Sequence, residues 1–169
     1  MCVSTAQLLI REGVSVSTAE SCTGGMIAHK FTCVPGASKS YKGGFVTYSN
    51  ELKIKVLGVS PDSIKQYTEV SEQVATEMAL GCMRMTGSDI AVSTTGYAQP
   101  YTENEQVAYI GIAYKVKDEN SGEVTIKIDV EKVKLEYPKS RHRFIEYVTG
   151  DAYYMILERL PKVKECLQI

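Results

Sequence analysis

The spacing of apolar residues changes period several times along this chain, and each change marks an element. Val14 to Thr18 alternates and predicts a strand. Thr23-Gly-Gly25 follows and opens a helix whose apolar residues are Met26, Ile27 and Phe31. Gly43 to Ser49 reads as a second strand, with a short helix from Glu51 to Leu57. Pro61 suits the first turn of another short helix. Ser71 is placed to cap a long helix running to Met85. On that helix Val74, Met78 and Cys82 form one stripe, with Ala75, Ala79 and Met83 beside it. Methionines in such a stripe read as core. Asp89 to Thr94 is a strongly apolar run of the kind found in central strands. Val107 to Val116 and Glu123 to Val133 are rich in β-branched and aromatic residues, and the polar segment 117–122 between them predicts a hairpin. Pro138 precedes a terminal helix carrying Phe144, Val148, Ala152, Met155 and Leu160. The order β-α-β-α-α-α-β, then a hairpin, then α, predicts an α/β fold: a layered, mixed sheet with helices on both faces.

Composition narrows the function. The chain has 169 residues, 44% hydrophobic and 23% charged. This suits one globular domain over 1–169 with a buried core. Its 19 basic and 20 acidic residues leave a net charge of -1, so no overall basic excess points to nucleic acid. The early apolar run Leu8-Leu9-Ile10 is too short for a membrane span or a signal-peptide core, and a cytoplasmic location is expected. The five cysteines (2, 22, 33, 82 and 166) are odd in number and widely spaced, which predicts reduced thiols rather than disulfides or a zinc site. With two histidines, His29 and His142, no metal cluster is expected.

Four segments carry candidate chemistry. In Ser17-Thr-Ala-Glu-Ser-Cys-Thr-Gly-Gly25 a strand ends in small hydroxyl residues and two glycines before a helix. That arrangement gathers backbone N–H groups around one point, suited to an anion or an oxyanion, with Ser21 and Thr23 presenting hydroxyls, or to an ordinary helix start. In Tyr41 to Lys53, Lys53 falls in the first turn of a helix, where the dipole would lower its pKa and suit it to act as a base; a solvated surface lysine is the alternative. Ser93-Thr-Thr-Gly-Tyr-Ala-Gln-Pro100 ends a buried strand where α/β sheets commonly bind ligands. Ser140-Arg-His-Arg143 heads the last helix, where two arginines would clamp a phosphate or simply be solvated. Neither histidine suits a serine triad, so a Ser–Lys pair is the more economical nucleophile and base.

The blocks T-A-E-S-C-T-G-G at 18–25, V-P-G-A-S at 34–38, Y-x-G-G-x-V-x-Y-S-N-E-x-K at 41–53 and L-G-V at 57–59 together resemble the CinA C-terminal domain family. V-S-E-x-V-A at 70–75 and T-G-x-A at 95–98 are similar to its later blocks. The resemblance covers about residues 3–160 and implies a three-layer α/β/α sandwich. It also implies hydrolysis of the carboxamide of nicotinamide mononucleotide to the acid and ammonia, without metal or cofactor. Ser21 would be the nucleophile and Lys53 the general base. Tyr48 would support the site, and Thr95 would help orient or activate the serine. Backbone groups of Cys22, Thr23, Gly24, Gly25 and Gly96 would surround the substrate, and Arg141 would contact its phosphate. Relatives form oligomers, so a homodimer is expected.

The later blocks depart from the family pattern. Gln99 stands for a glycine, a glycine-rich loop and its lysine are missing from 97–106, and Glu103 and Glu105 place negative charge there. Ile145 replaces a second arginine. These changes leave two other readings: an amidohydrolase acting on another small amide, or a protein that binds a nucleotide or partner without catalysis. Cys22 is a further candidate nucleophile, because the same electropositive loop would favour its thiolate.

Overall fold

The computed structural model describes residues 2–102 and 105–168. The chain begins with a helix that the apolar spacing did not disclose, α1 (Cys2–Arg11). It buries Thr5, Ala6 and Leu9. It is a short helix in which polar Ser4, Thr5 and Gln7 interrupt the apolar residues. The order continues with β1 (Val16–Glu20), α2 (Met26–Thr32), a 3-10 turn (Ala37–Lys39), β2 (Tyr41–Val46), α3 (Asn50–Leu57), α4 (Pro61–Tyr67) and α5 (Glu72–Thr86). Then come β3 (Ile90–Tyr97), β4 (Val107–Lys117), β5 (Val124–Lys134) and α6 (Arg141–Leu167).

Strand limits shift where pairing overrides local pattern. The Val14 amide bonds the Leu9 carbonyl and so belongs to the turn after α1. β3 runs on to Tyr97 because β4 pairs it as far as Val107.

The five strands lie in the order β2-β1-β3-β4-β5. β1 is parallel to both neighbours, and β4 is antiparallel to β3 and β5. The sheet is therefore mixed, with helices on both faces, an α/β/α sandwich. The larger core joins α1, α2 and α6 to one face through residues such as Phe31, Ile110, Phe144 and Tyr153. The smaller core joins α3 and α5 to the other through Leu57, Met78, Cys82 and Ala113. The methionine stripe of α5 is buried there, and the helix lies close: a Cβ on Gly81 would fall 2.0 Å from the Leu57 carbonyl oxygen of α3.

From β1 the chain goes to β2 on one side and later to β3 on the other. The carboxyl end of β1 is thus a topological switch point, the usual ligand crevice of an open α/β sheet. Among the described residues, no helix is long and apolar enough to cross a membrane.

Candidate active site

Ser21 follows directly on β1. Its amide donates to the Thr94 carbonyl of β3 at 2.9 Å, while the Thr47 amide donates to the Glu20 carbonyl at 2.8 Å. The two strand registers pair Glu20 with Val46 and with Thr94. Ser21 therefore sits between Thr47 and Thr95, one step beyond the paired strands.

Lys53 reaches this point from α3. Ser49 caps that helix by accepting from the Leu52 amide, and Lys53 completes the first turn. Its side chain runs inward, and the residue is only 1% exposed. Nζ lies 3.1 Å from Ser21 Oγ and donates to the Thr47 carbonyl at 3.1 Å. The Lys53 pKa is lowered, chiefly because burial penalises the ammonium; Glu69 and Cys22 act in the opposite direction. Burial, rather than the helix dipole, leads the shift. The Thr47 hydroxyl is buried and has no hydrogen-bond partner among the described residues.

The expected anion site at the start of α2 is filled from within the chain. Glu20, fully buried, turns its carboxylate onto the helix end. It accepts from the amides of Gly25 (3.0 Å), Ile27 (3.1 Å) and Ala28 (2.8 Å) and from the Thr23 hydroxyl (2.7 Å). The carboxylate thus satisfies the orphan donors and the positive end of the dipole, leaving no charge there for an external phosphate. Gly24 (φ 60°) and Gly25 (φ 97°) make the turn in a left-handed conformation that disfavours side chains. Thr23 is also committed, with its hydroxyl 2.7 Å from that of Thr94, so it is not presented to a ligand as expected. The Gly24 amide donates to the Ser21 carbonyl. With Ser21, Gly24 and Gly25 engaged, the amides of Cys22 and Thr23 are the candidates for an oxyanion.

Cys22 is not an activated thiol. Its side chain turns into the larger core, and burial pushes its pKa up to about 12. The expected thiolate fails because the side chain leaves the polar loop for apolar surroundings. Among the described residues all five cysteines are free, with Cys22, Cys82 and Cys166 buried and Cys33 exposed. Those residues contain no group of three or more metal-ligating side chains suited to an ion.

Thr95 is buried on β3, and its hydroxyl donates to the Glu69 carbonyl at 2.6 Å. Gly96 pairs with β4, where a Cβ would meet Ala108 at 2.7 Å. Tyr48 and Arg141 meet at the rim: a guanidinium nitrogen of Arg141 donates to the Tyr48 hydroxyl at 2.7 Å. Both line a pocket of about 370 Å³ with Gly96, Tyr97, Ala98 and Gln99. Tyr48 and Gly96 directly follow Thr47 and Thr95, which flank Ser21, but neither Ser21 nor Lys53 lines this pocket.

Arg141 and Arg143 do not form a clamp. Arg143 faces Glu146 at 3.8 Å, because residues two apart on a helix point to different sides. Glu105 pairs with Lys134 at 2.6 Å, which offsets its charge, and Glu103 lies outside the described residues. Three residues with structural roles here gave no clear signal in the sequence. Glu20 is the internal cap. Gln106 accepts from the Lys139 amide and donates to the Ala98 and Lys139 carbonyls, tying the loop after β3 to the lead of α6. Thr68 holds φ 68° and ψ 167°, a region costing about 1–3 kcal/mol for a side-chain-bearing residue, and so sets the path of Glu69.

The sequence matches the model of the CinA C-terminal domain over residues 2–160. A CinA-like protein of Chloroherpeton thalassium is 52% identical over 115 residues, and one of Chlorobaculum tepidum is 47% identical over 115 residues. Each match covers 66% of this chain and 27% of the relative, so the matched segment spans about a quarter of these curated relatives. Among solved structures, a competence/damage inducible protein of Agrobacterium tumefaciens superposes with a TM-score of 0.77 at 29% identity, covering 93% of this chain and 94% of that one. A CinA superfamily protein of Enterobacter cloacae gives 0.78 at 26% identity, covering 94% and 90%.

Proposed function

The chain belongs to the CinA C-terminal domain family, and from that premise we propose that it is an amidohydrolase releasing ammonia from nicotinamide mononucleotide through Ser21 and Lys53. The observation that carries this reading is the buried Lys53 Nζ at 3.1 Å from Ser21 Oγ, at the switch point of the sheet. A lysine driven toward its neutral form by burial can accept the serine proton. The Ser21 alkoxide attacks the amide carbon, and the amides of Cys22 and Thr23 receive the developing oxyanion. The protonated Lys53 returns its proton to the leaving nitrogen, and ammonia departs from an acyl-enzyme. Water then attacks the ester, with Lys53 again taking the proton, and Ser21 is released with the nicotinate product.

Tyr48 would form one wall for the ring. Arg141 would meet the 5′-phosphate, since the start of α2 is already occupied by Glu20. Thr95 would hold the strand end beside Ser21 through its bond to Glu69.

The test is ammonia release from nicotinamide mononucleotide by wild type, Ser21→Ala and Lys53→Ala, with nicotinamide riboside as a second substrate. Release by wild type that both variants lose supports the Ser–Lys amidohydrolase. Release from the riboside alone would move the substrate to unphosphorylated amides. No release from either by folded wild type would reject the reading.

A further inference from the structure

Beyond Ser21, one charged group lines the pocket and another lies behind its wall. Arg141 lines it directly. Opposite in sign, the Glu69 carboxylate stands behind Tyr97, another lining residue, and accepts from the Tyr97 hydroxyl at 3.1 Å. The Glu69 backbone is fixed as well, because its carbonyl accepts from the Thr95 hydroxyl at 2.6 Å. Thr68 imposes the unusual turn just before it, and the Ser71 hydroxyl donates back to the Thr68 carbonyl at 3.0 Å. The Glu69 carboxylate is thus held behind Tyr97 by one hydrogen bond, and its backbone is fixed by the Thr95 bond and the turn at Thr68; Tyr97 lies two strand residues beyond Thr95.

We propose that Glu69, held in place by Tyr97, is a specificity-determining residue that makes this pocket select amides carried on a permanently cationic ring over neutral ones. The inference deepens the amidohydrolase reading and rests on that reading's placement of the substrate beside Ser21. The physical basis is simple attraction: a ring bearing a fixed positive charge is drawn to a carboxylate across a half-buried wall, whereas a neutral ring of the same shape gains nothing. Aromatic faces at Tyr48 and Tyr97 add to the effect, since their negative faces also favour a cation. The charged groups of the site then act together. Glu69 works against the neutral form of Lys53. A cationic ring set between them offsets that field, so the substrate itself favours the deprotonated lysine it requires.

The experiment compares two probes that differ in charge and hardly in shape, 1-methylnicotinamide and its neutral isostere 3-methylbenzamide. Their binding to the intact chain is followed by NMR titration, which also reports folding of each variant. Wild type is expected to prefer the cation about tenfold, and Glu69→Gln to bring the two close to parity. Glu69→Asp should retain most of the preference, and Tyr97→Phe should lose about half of it on a logarithmic scale. An unchanged preference in folded Glu69→Gln, no preference in wild type, or no binding of either probe would overturn the proposal. Binding does not require turnover, so a charge preference without ammonia release would retain this inference while rejecting the amidohydrolase reading.

Discussion

Two regions of the site are built on opposite plans. At the carboxyl end of β1, Glu20, Ser21, Thr23 and Lys53 are buried, and each is tied by hydrogen bonds to at least one other strand or helix. At the pocket rim, Tyr48 is 59% exposed and meets Arg141 through one hydrogen bond. The buried corner is set by the fold and cannot move without disturbing it. The rim is set by single contacts and can be retuned residue by residue. Altered loop residues such as Gln99 fall on the rim, while the Ser–Lys pair falls in the corner.

Replacing Glu20 by Ala is the severest way to break the contrast. Four donors would lose their buried acceptor, and stability should fall by about 3–5 kcal/mol, read as a lower denaturant midpoint. A loss near that expected for an exposed carboxylate would show that the corner is not organised around this group.

Lys53→Met comes next. It should abolish ammonia release and make the protein more stable at neutral pH, because a buried amine is removed. The sign of the pH dependence follows from the lowered pKa. Between that value and the ordinary lysine pKa of about 10.4, the unfolded chain holds a proton that the folded chain has released. Wild-type stability therefore gains from Lys53 as pH rises through this window. Below the lowered pKa the full cost of burying the ammonium is present. The stability advantage of Lys53→Met should accordingly shrink as pH approaches 10, measured by denaturation across pH. A constant gap would mean that Lys53 keeps an ordinary pKa.

At the rim, Arg141→Ala should raise KM for the mononucleotide about tenfold, with kcat changed little and stability unaltered. A fall in kcat alone would place Arg141 with the corner instead. Thr68→Gly should have the smallest effect, a gain of about 1 kcal/mol as strain is relieved, offset in part by the freer unfolded chain. A rise in Tm checks it.

Much of this division was legible in the sequence. The strand-to-helix change at Ser17 to Gly25 located Ser21, and the short helix predicted from Glu51 carried Lys53. The family blocks joined the two, which no local pattern does across 32 residues. Glu20 stood in the first block, but alternation along a strand says only which face a residue takes. Whether its carboxylate meets solvent or curls onto the next helix depends on the φ values of Gly24 and Gly25. Arg143 looked equivalent to Arg141 because both precede the same apolar stripe, and only the helical angle separates them. The left-handed turn at Thr68 had no sequence mark, since Thr ordinarily avoids it. Gln106 was equally silent, because a side-chain amide that ties two loops has no periodic signature.

The register of β1 carries a consequence for how the molecule is made. The β4–β5 hairpin joins neighbours in the chain, whereas β1 meets β3 across 74 residues, and the Thr23–Thr94 contact spans 71. Closing so long a loop to form a parallel pair is slow, while a hairpin closes quickly. A ribosome that has delivered both Ser21 and Lys53 has still not delivered the strand that fixes the serine. On the proposed reading, reactivity at Ser21 would therefore belong only to the finished fold, and a nascent or partly unfolded chain would hold Ser21 without a competent site around it.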